Sequence, residues 1–169
     1  MQSKLHALTF ALILGGLSGV AALAQSGEVA FKGLRAGAGL PVEITANQLD
    51  VSQKDETAIF TGDVVAIQGE MRLSSQKLGV EYVKGDKTKI DTLHATGNVL
   101  LATSTEAAEA EAALYTLTSG MLELTGNVLL TQATGTISGQ KMVIDLNTGI
   151  GRMDGRVKTV LQPGAASTP

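Results

Sequence analysis

The sequence offers few side chains that could perform chemistry, and those it has are scattered. His94 lies close to Asp91, and a His–Asp pair can orient a general base, but alternation along this stretch places His94 on the outward face. Six further carboxylates lie at expected strand ends and loops: Asp50, Asp55, Glu56, Asp63, Glu81 and Asp145. They do not recur as a cluster on one face, as an acidic catalytic pair would require. The sequence therefore favours a protein that is not an enzyme.

The composition argues against further kinds of site. There is no cysteine, which removes disulfides, thiolate nucleophiles and thiolate metal sites together. Lys and Arg number 13 and Asp and Glu 16, and the net charge of -3 has the wrong sign for a protein that follows a nucleic-acid backbone. We therefore expect no metal, no cofactor and no nucleic-acid partner.

The elements that position these residues repeat along the chain. The tripeptides Thr61–Asp63, Thr96–Asn98 and Thr125–Asn127 each precede a valine, and Asp154–Val157 is a degenerate fourth copy. The copies begin 35, 29 and 29 residues apart. A second motif recurs in phase with the first, and its copies begin at Ile44, Leu73, Ala108 and Ile137. Two independent markers in phase predict four stacked repeats of about 29 residues.

Apolar residues alternate within each repeat, which indicates β-strands. In the second motif the apolar alternation shifts by one residue at a fixed place in each repeat, which predicts a bulge or corner. The glycine within each Thr-Gly motif predicts a second bend. Residues 106–114 have the Ala and Glu composition of a helix but keep register with the other copies, so we predict a strand. The predicted fold class is all-β, with stacked bent antiparallel strands forming an open, solenoid-like β-jellyroll.

The interior of this fold is the remaining candidate for function. Two facing sheets about 10 Å apart can be filled by aliphatic side chains alone, and the chain would then be a structural scaffold without lipid cargo. In the alternative, the interior is an open groove that takes acyl chains, with each buried methylene contributing roughly 0.8 kcal/mol. Periodicity does not distinguish the filled interior from the open one.

The ends of the chain differ in composition from the repeats. Lys4, an apolar run over residues 7–17 and the small residues Ala22–Ala24 are typical of a cleaved signal peptide over residues 1–24. The run is shorter than the roughly 20 residues of a spanning helix. We expect an exported product with a flexible leader at 25–40, the β-jellyroll domain at 41–161 and a disordered tail at 162–169.

Five stretches of the repeats share the pattern of a known family. They are Pro41–Ala46, Phe60–Gly69 and Leu73–Leu78, together with Leu122–Val128 and Ile137–Lys141. These stretches resemble the OstA-like family of lipopolysaccharide-transport proteins. The resemblance covers about residues 41–161. It implies a twisted, boat-like β-jellyroll in the periplasm that carries lipopolysaccharide from the inner to the outer membrane. It also implies head-to-tail stacking, an inner-membrane-anchored partner and an outer-membrane translocon partner of the same fold.

By that similarity, the acyl chains of lipid A would lie against inward-facing side chains. The predicted lipid-binding residues are Val42, Ile44, Phe60, Val64, Leu101, Tyr115, Leu117, Leu124 and Val128. Open sheet edges fit the implied stacking, because an uncapped strand edge pairs with another strand unless it is blocked.

Overall fold

A computed structural model describes residues 28–30 and 40–162, with the backbone alone for 28–30. The predicted signal peptide lies outside the described residues, as does the predicted tail except for Gln162.

The described residues form antiparallel strands, and most neighbours in sequence are also neighbours in the sheet. The strands are β1 (Glu28–Ala30), β2 (Glu43–Thr45), β3 (Gln48–Ser52), β4 (Thr57–Gln68), β5 (Met71–Val83), β6 (Asp86–Ala102), β7 (Glu106–Thr116), β8 (Met121–Gln132), β9 (Gly135–Asp145), β10 (Ile150–Asp154) and β11 (Lys158–Leu161). β7 confirms the strand prediction for the Ala- and Glu-rich segment. Its neighbours β6 and β8 pair along both sides of it and override its helical propensity.

Each long strand bends near its middle, so the single sheet folds into two layers. Layer A consists of β2, β11, the C-terminal halves of β4, β6 and β8, and the N-terminal halves of β5, β7 and β9. Layer B consists of β1, β3, β10 and the remaining halves of the same long strands. This is the open all-β architecture of stacked bent strands that the repeats predict.

We call the line of bends between the two layers the seam. The ladder between β4 and β5 shifts register between Thr61 and Val64, and the equivalent shifts in β6 and β8 fall at their own Thr-Gly motifs. Gly62 and Asp63 both have positive φ, at 81° and 45°. Glycine adopts this left-handed backbone freely and Asp or Asn tolerates it. The Thr-Gly-Asp/Asn motif is therefore the bend itself.

The slip in the second motif belongs to the same seam. A polar side chain from an earlier part of the chain takes the space beside each seam glycine. The pairs are Asn47, between β2 and β3, beside Gly62, then Gln76 beside Gly97, Glu111 beside Gly126 and Gln140 beside Gly155. Asn47 donates to the Asp63 carboxylate at 3.1 Å, and Asn127 donates to Glu111 at 2.7 Å. The Thr-Gly motif therefore supplies the glycine of each bend, and the second motif supplies the polar side chain that packs beside that glycine.

The two edges of the sheet differ. At the N-terminal edge, β2 and β3 each pair only with β4 among the described strands. At the C-terminal edge, β11 pairs with β9, and β10 is covered by β1. β1 lies within the segment 25–40 that was expected to be a flexible leader, and its partner is at the opposite end of the repeat array. The rest of that segment up to residue 39 lies outside the described residues.

Candidate functional site

Side chains from both layers fill most of the interior. Leu78 and Leu124 in layer B, and Leu101 and Val128 in layer A, are essentially inaccessible to solvent. An apolar cavity of about 20 Å³ remains between the layers near the N-terminal edge. A cavity that binds benzene measures about 150 Å³, so this inner cavity cannot hold an acyl chain unless the layers move apart.

A larger cleft lies outside this inner cavity, between the ends of the strands opposite the seam. We call the layer-A ends of these strands the layer-A rim. The cleft measures about 380 Å³, within the range of ligand-binding pockets. It is lined by Leu40 and Gln68 on the layer-A side and by Val83, Lys89, Ile90, Tyr115, Leu117 and Thr118 on the layer-B side. The cleft therefore lies next to the interior on the solvent side.

Gln68 and Tyr115 separate the cleft from the inner cavity, because both residues line both spaces. Their side chains are only 3% and 4% exposed. The Gln68 amide nitrogen donates to the carbonyl oxygen of Leu40 at 2.9 Å. Burial raises the pKa of the Tyr115 hydroxyl, and the nearby Gln68 side chain partly opposes the rise. The hydroxyl therefore stays protonated at neutral pH.

A second polar pair lies further along the layer-A rim. Glu106 begins β7 and Gln132 ends β8, and the Gln132 amide donates to Glu106 at 2.9 Å. Burial raises the pKa of the Glu106 carboxyl, and the hydrogen bond from Gln132 works against that rise. Gln132 lies the same number of residues after Thr125 as Gln68 lies after Thr61. The two glutamines therefore occupy equivalent positions in their repeats.

The predicted lipid-binding residues all belong to the apolar core cluster or pack against it. Val42, Leu101 and Tyr115 line the inner cavity, and Leu117 joins Tyr115 at the cleft. Val64, Leu124 and Val128 are buried in the filled part of the interior, whereas Ile44 and Phe60 are partly accessible near the N-terminal edge. Lipid contact at these residues stays a prediction.

The side chains that could have supported acid–base or metal chemistry stand apart. His94 is exposed between inward-facing Leu93 and Ala95, so the expected outward orientation is confirmed. Asp91 accepts a hydrogen bond from Thr118 at 2.9 Å instead of orienting the imidazole. Within residues 28–30 and 40–162, no group of three or more His, Asp or Glu side chains could hold a metal ion. In the same part of the chain, no helix is long and apolar enough to cross a membrane.

Comparison with known protein families shows the family to which this chain belongs. The family model described as "LptA/(LptD N-terminal domain) LPS transport protein" matches residues 43–150. That match spans more than half of the chain and includes the seam motifs of β4, β6 and β8. The chain belongs to this family. Membership in the LptA/LptD N-terminal domain family confirms the resemblance drawn from the Thr-Gly repeats.

Two individual proteins are similar to this family member. An uncharacterized protein of Rhizobium meliloti (strain 1021) is 28% identical over 132 residues, which cover 72% of this chain and 71% of the relative. The crystal structure of LptH, described as the LptA homologous periplasmic component of the lipopolysaccharide transport device of Pseudomonas aeruginosa, matches with a TM-score of 0.67 at 19% identity. The match covers 75% of this chain and 99% of LptH. At that identity the similarity establishes the fold alone.

The polar residues of the layer-A rim were not predicted from the sequence. The predicted lipid-binding residues were apolar residues on the inward phase of the strands. Gln68 lies on that same phase, after Val64 and Ala66, and its recurrence as Gln132 was the available signal. A polar residue that repeats on an inward phase indicates a buried side chain that needs a partner.

Proposed function

We propose that this lipopolysaccharide-transport family member is a periplasmic carrier that holds lipid A acyl chains between its two layers. The observation that carries the proposal is the arrangement of the interior, in which an aliphatic core filled from both layers is reached through a cleft beside Tyr115 and Leu117. Interiors of this kind bind hydrocarbon chains by burial alone, at roughly 0.8 kcal/mol for each methylene. No catalytic group takes part.

Loading requires the two layers to separate. The inner cavity of about 20 Å³ is too small for a chain, so each inserted methylene must replace side-chain contacts between layers A and B. The seam is the natural pivot, since bends there already join the layers. The partly accessible residues Val42, Ile44 and Phe60 lie at the less tightly filled end near the N-terminal edge. We place the first contacts with lipid there and at the cleft.

The carrier works as a bridge in this proposal. The chain is exported through the signal peptide at residues 1–24, and copies associate head to tail by pairing of their sheet edges. The same edges join an inner-membrane-anchored partner and the N-terminal domain of an outer-membrane translocon, both with this fold. The exposed strands β2 and β3 at one end, and β11 at the other, provide backbone groups for such pairing.

Site-specific photo-crosslinking in cells tests the carrier function. A crosslinker at Tyr115 or Ile44 is expected to capture lipopolysaccharide, because both positions face the interior or its accessible margin. Glu123 is the matched control, since it lies on the outer face of β8 and pairs with Lys141 at 2.8 Å. The adducts are detected as a lipopolysaccharide-positive band on immunoblots. Equal capture at Glu123 would contradict an interior route.

The competing function is a structural scaffold with a filled interior and no cargo. The observation that favours it is the dense packing around Leu124, Leu130, Met142 and Ile144 toward the C-terminal edge. The crosslinking experiment separates the two functions, because a scaffold yields no lipopolysaccharide adduct at either interior position.

A further inference from the structure

Two buried side-chain oxygens make no hydrogen bond within the described residues, and both belong to the layer-A rim. They are Oε1 of Gln68, at the end of β4, and Oε2 of Glu106, at the start of β7. Nearly all buried polar atoms in proteins are paired, and each exception calls for an explanation. Gln68 lines the cleft and the inner cavity where the proposed lipid would enter, so the lipid itself is a candidate partner for its Oε1.

Gln68 is the better defined of the two. Its amide nitrogen donates to the Leu40 carbonyl, which fixes the plane of the amide and directs Oε1 away from Leu40. The side chain is 3% exposed and borders both the cleft and the inner cavity, together with Tyr115. At the equivalent position in its repeat, the Gln132 amide is engaged with Glu106. Gln68 Oε1 thus presents an unused acceptor at the passage between cleft and cavity.

The surroundings define what could satisfy this acceptor. Beyond Gln68 the inner cavity is lined by aliphatic residues that include Leu73, Leu93 and Leu101. A ligand that reaches the acceptor must therefore combine a hydrocarbon tail with a hydrogen-bond donor near the head of that tail. A plain saturated acyl chain has no such donor, whereas a hydroxyl on the chain close to its carbonyl supplies one.

We propose that Gln68 Oε1, with the Tyr115 hydroxyl beside it, forms a binding site for the hydroxyl group of a hydroxylated acyl chain whose tail lies between the layers. This site rests on the proposed carrier function and adds a chemical selectivity to it. The ligand hydroxyl donates to Gln68 Oε1, so the buried acceptor that lacks a partner is satisfied when the chain is bound. The Tyr115 hydroxyl, already within hydrogen-bonding reach of the Gln68 side chain, donates to the oxygen of the ligand hydroxyl. Chains without the hydroxyl leave the acceptor unpaired and bind less tightly.

Binding of two probe acids to the purified mature chain tests the site. The probes are 3-hydroxytetradecanoic acid and tetradecanoic acid, which differ by a single hydroxyl, and isothermal titration calorimetry measures both affinities. The parent chain is expected to prefer the hydroxylated acid by about 3- to 10-fold, the contribution of one hydrogen bond. Gln68→Leu should abolish the preference for the hydroxylated acid, and Tyr115→Phe should reduce it.

Ser75→Ala is the matched control, because Ser75 is also buried but its hydroxyl is already bonded to the Lys77 carbonyl at 3.1 Å. That variant should keep the full preference. Equal affinities of the parent chain for the two acids, or a preference that survives Gln68→Leu, would overturn the hydroxyl site while leaving the carrier function standing. Failure of the parent chain to bind either acid would overturn both. If Gln68→Leu does not fold, the preference for the hydroxylated acid is measured with Tyr115→Phe and Gln68→Met instead.

Discussion

Glu106, a single residue of the layer-A rim, makes the stability of the fold depend on pH. Its carboxyl has a pKa raised above the ordinary value by burial, although Gln132 donates a hydrogen bond to it. A carboxyl whose pKa is higher in the folded chain than in the unfolded one favours folding only while it is protonated. That contribution is present below the ordinary Glu pKa and is lost as the pH rises through the raised value.

Glu106→Gln is therefore expected to make the folded chain more stable at neutral pH. The amide oxygen still accepts the hydrogen bond from Gln132, and the buried charge is gone. The gain should disappear at about pH 3, more than one unit below the ordinary Glu pKa, where the parent carboxyl is protonated in both states. Urea unfolding midpoints at the two pH values measure the effect. Glu109→Gln, on the exposed face of the same strand, is the control, and an equal gain from both variants would show that burial is not the cause.

At the scale of elements, the seam sets the shape of every long strand. Gly126 has φ of 81°, and a Cβ added there would lie 2.7 Å from the Cβ of Glu111. Two costs therefore combine, a left-handed backbone for a residue with a side chain and a contact shorter than atoms tolerate. The same pairing of glycine and neighbouring polar side chain recurs at Gly62, Gly97 and Gly155.

Gly126→Ala is expected to destabilise the chain by about 2–4 kcal/mol, measured by urea unfolding. Two other glycines separate the causes. Gly85 has the same φ of 81° but open space around it, so Gly85→Ala should lose only about 1 kcal/mol. Gly79 has ordinary backbone geometry and a nearest atom at 3.8 Å, so Gly79→Ala should change stability little. Equal losses in all three variants would remove the seam contact as an explanation.

The elements also show what the sequence can predict. The alternation pattern and the repeat length were enough to predict the stacked strands and the bends at the Thr-Gly motifs. They also predicted that β7 is a strand despite its helical composition. Each of these features depends on neighbours close in sequence. β1 was missed because its partner β10 lies at the far end of the array. The inward phase of Gln68 was a signal that its side chain is buried, but the size of the inner cavity beside it depends on how closely the two layers approach. No alternation pattern records that distance.

At the scale of the whole molecule, the two ends of the array expose different apolar edge strands. The N-terminal edge exposes Leu49 and Val51 on β3, at 51% and 65%, and the C-terminal edge exposes Val160 and Leu161 on β11, at 51% and 71%. An edge strand with exposed apolar side chains favours pairing with another chain. Because the two edges differ, the proposed association between copies would join unlike surfaces and could extend without closing.

This asymmetry predicts a complementation between two blocked variants. Leu49→Lys with Val51→Lys blocks the N-terminal edge, and Val160→Lys with Leu161→Lys blocks the C-terminal edge. Strand pairing at either edge would then bury unpaired lysine charges, which is costly. We expect the parent chain to form concentration-dependent oligomers and each double variant alone to be a monomer in light scattering after gel filtration. An equimolar mixture should form a dimer and nothing longer, because each variant keeps one free edge. Long oligomers from either variant alone, or no dimer in the mixture, would contradict head-to-tail association through these edges.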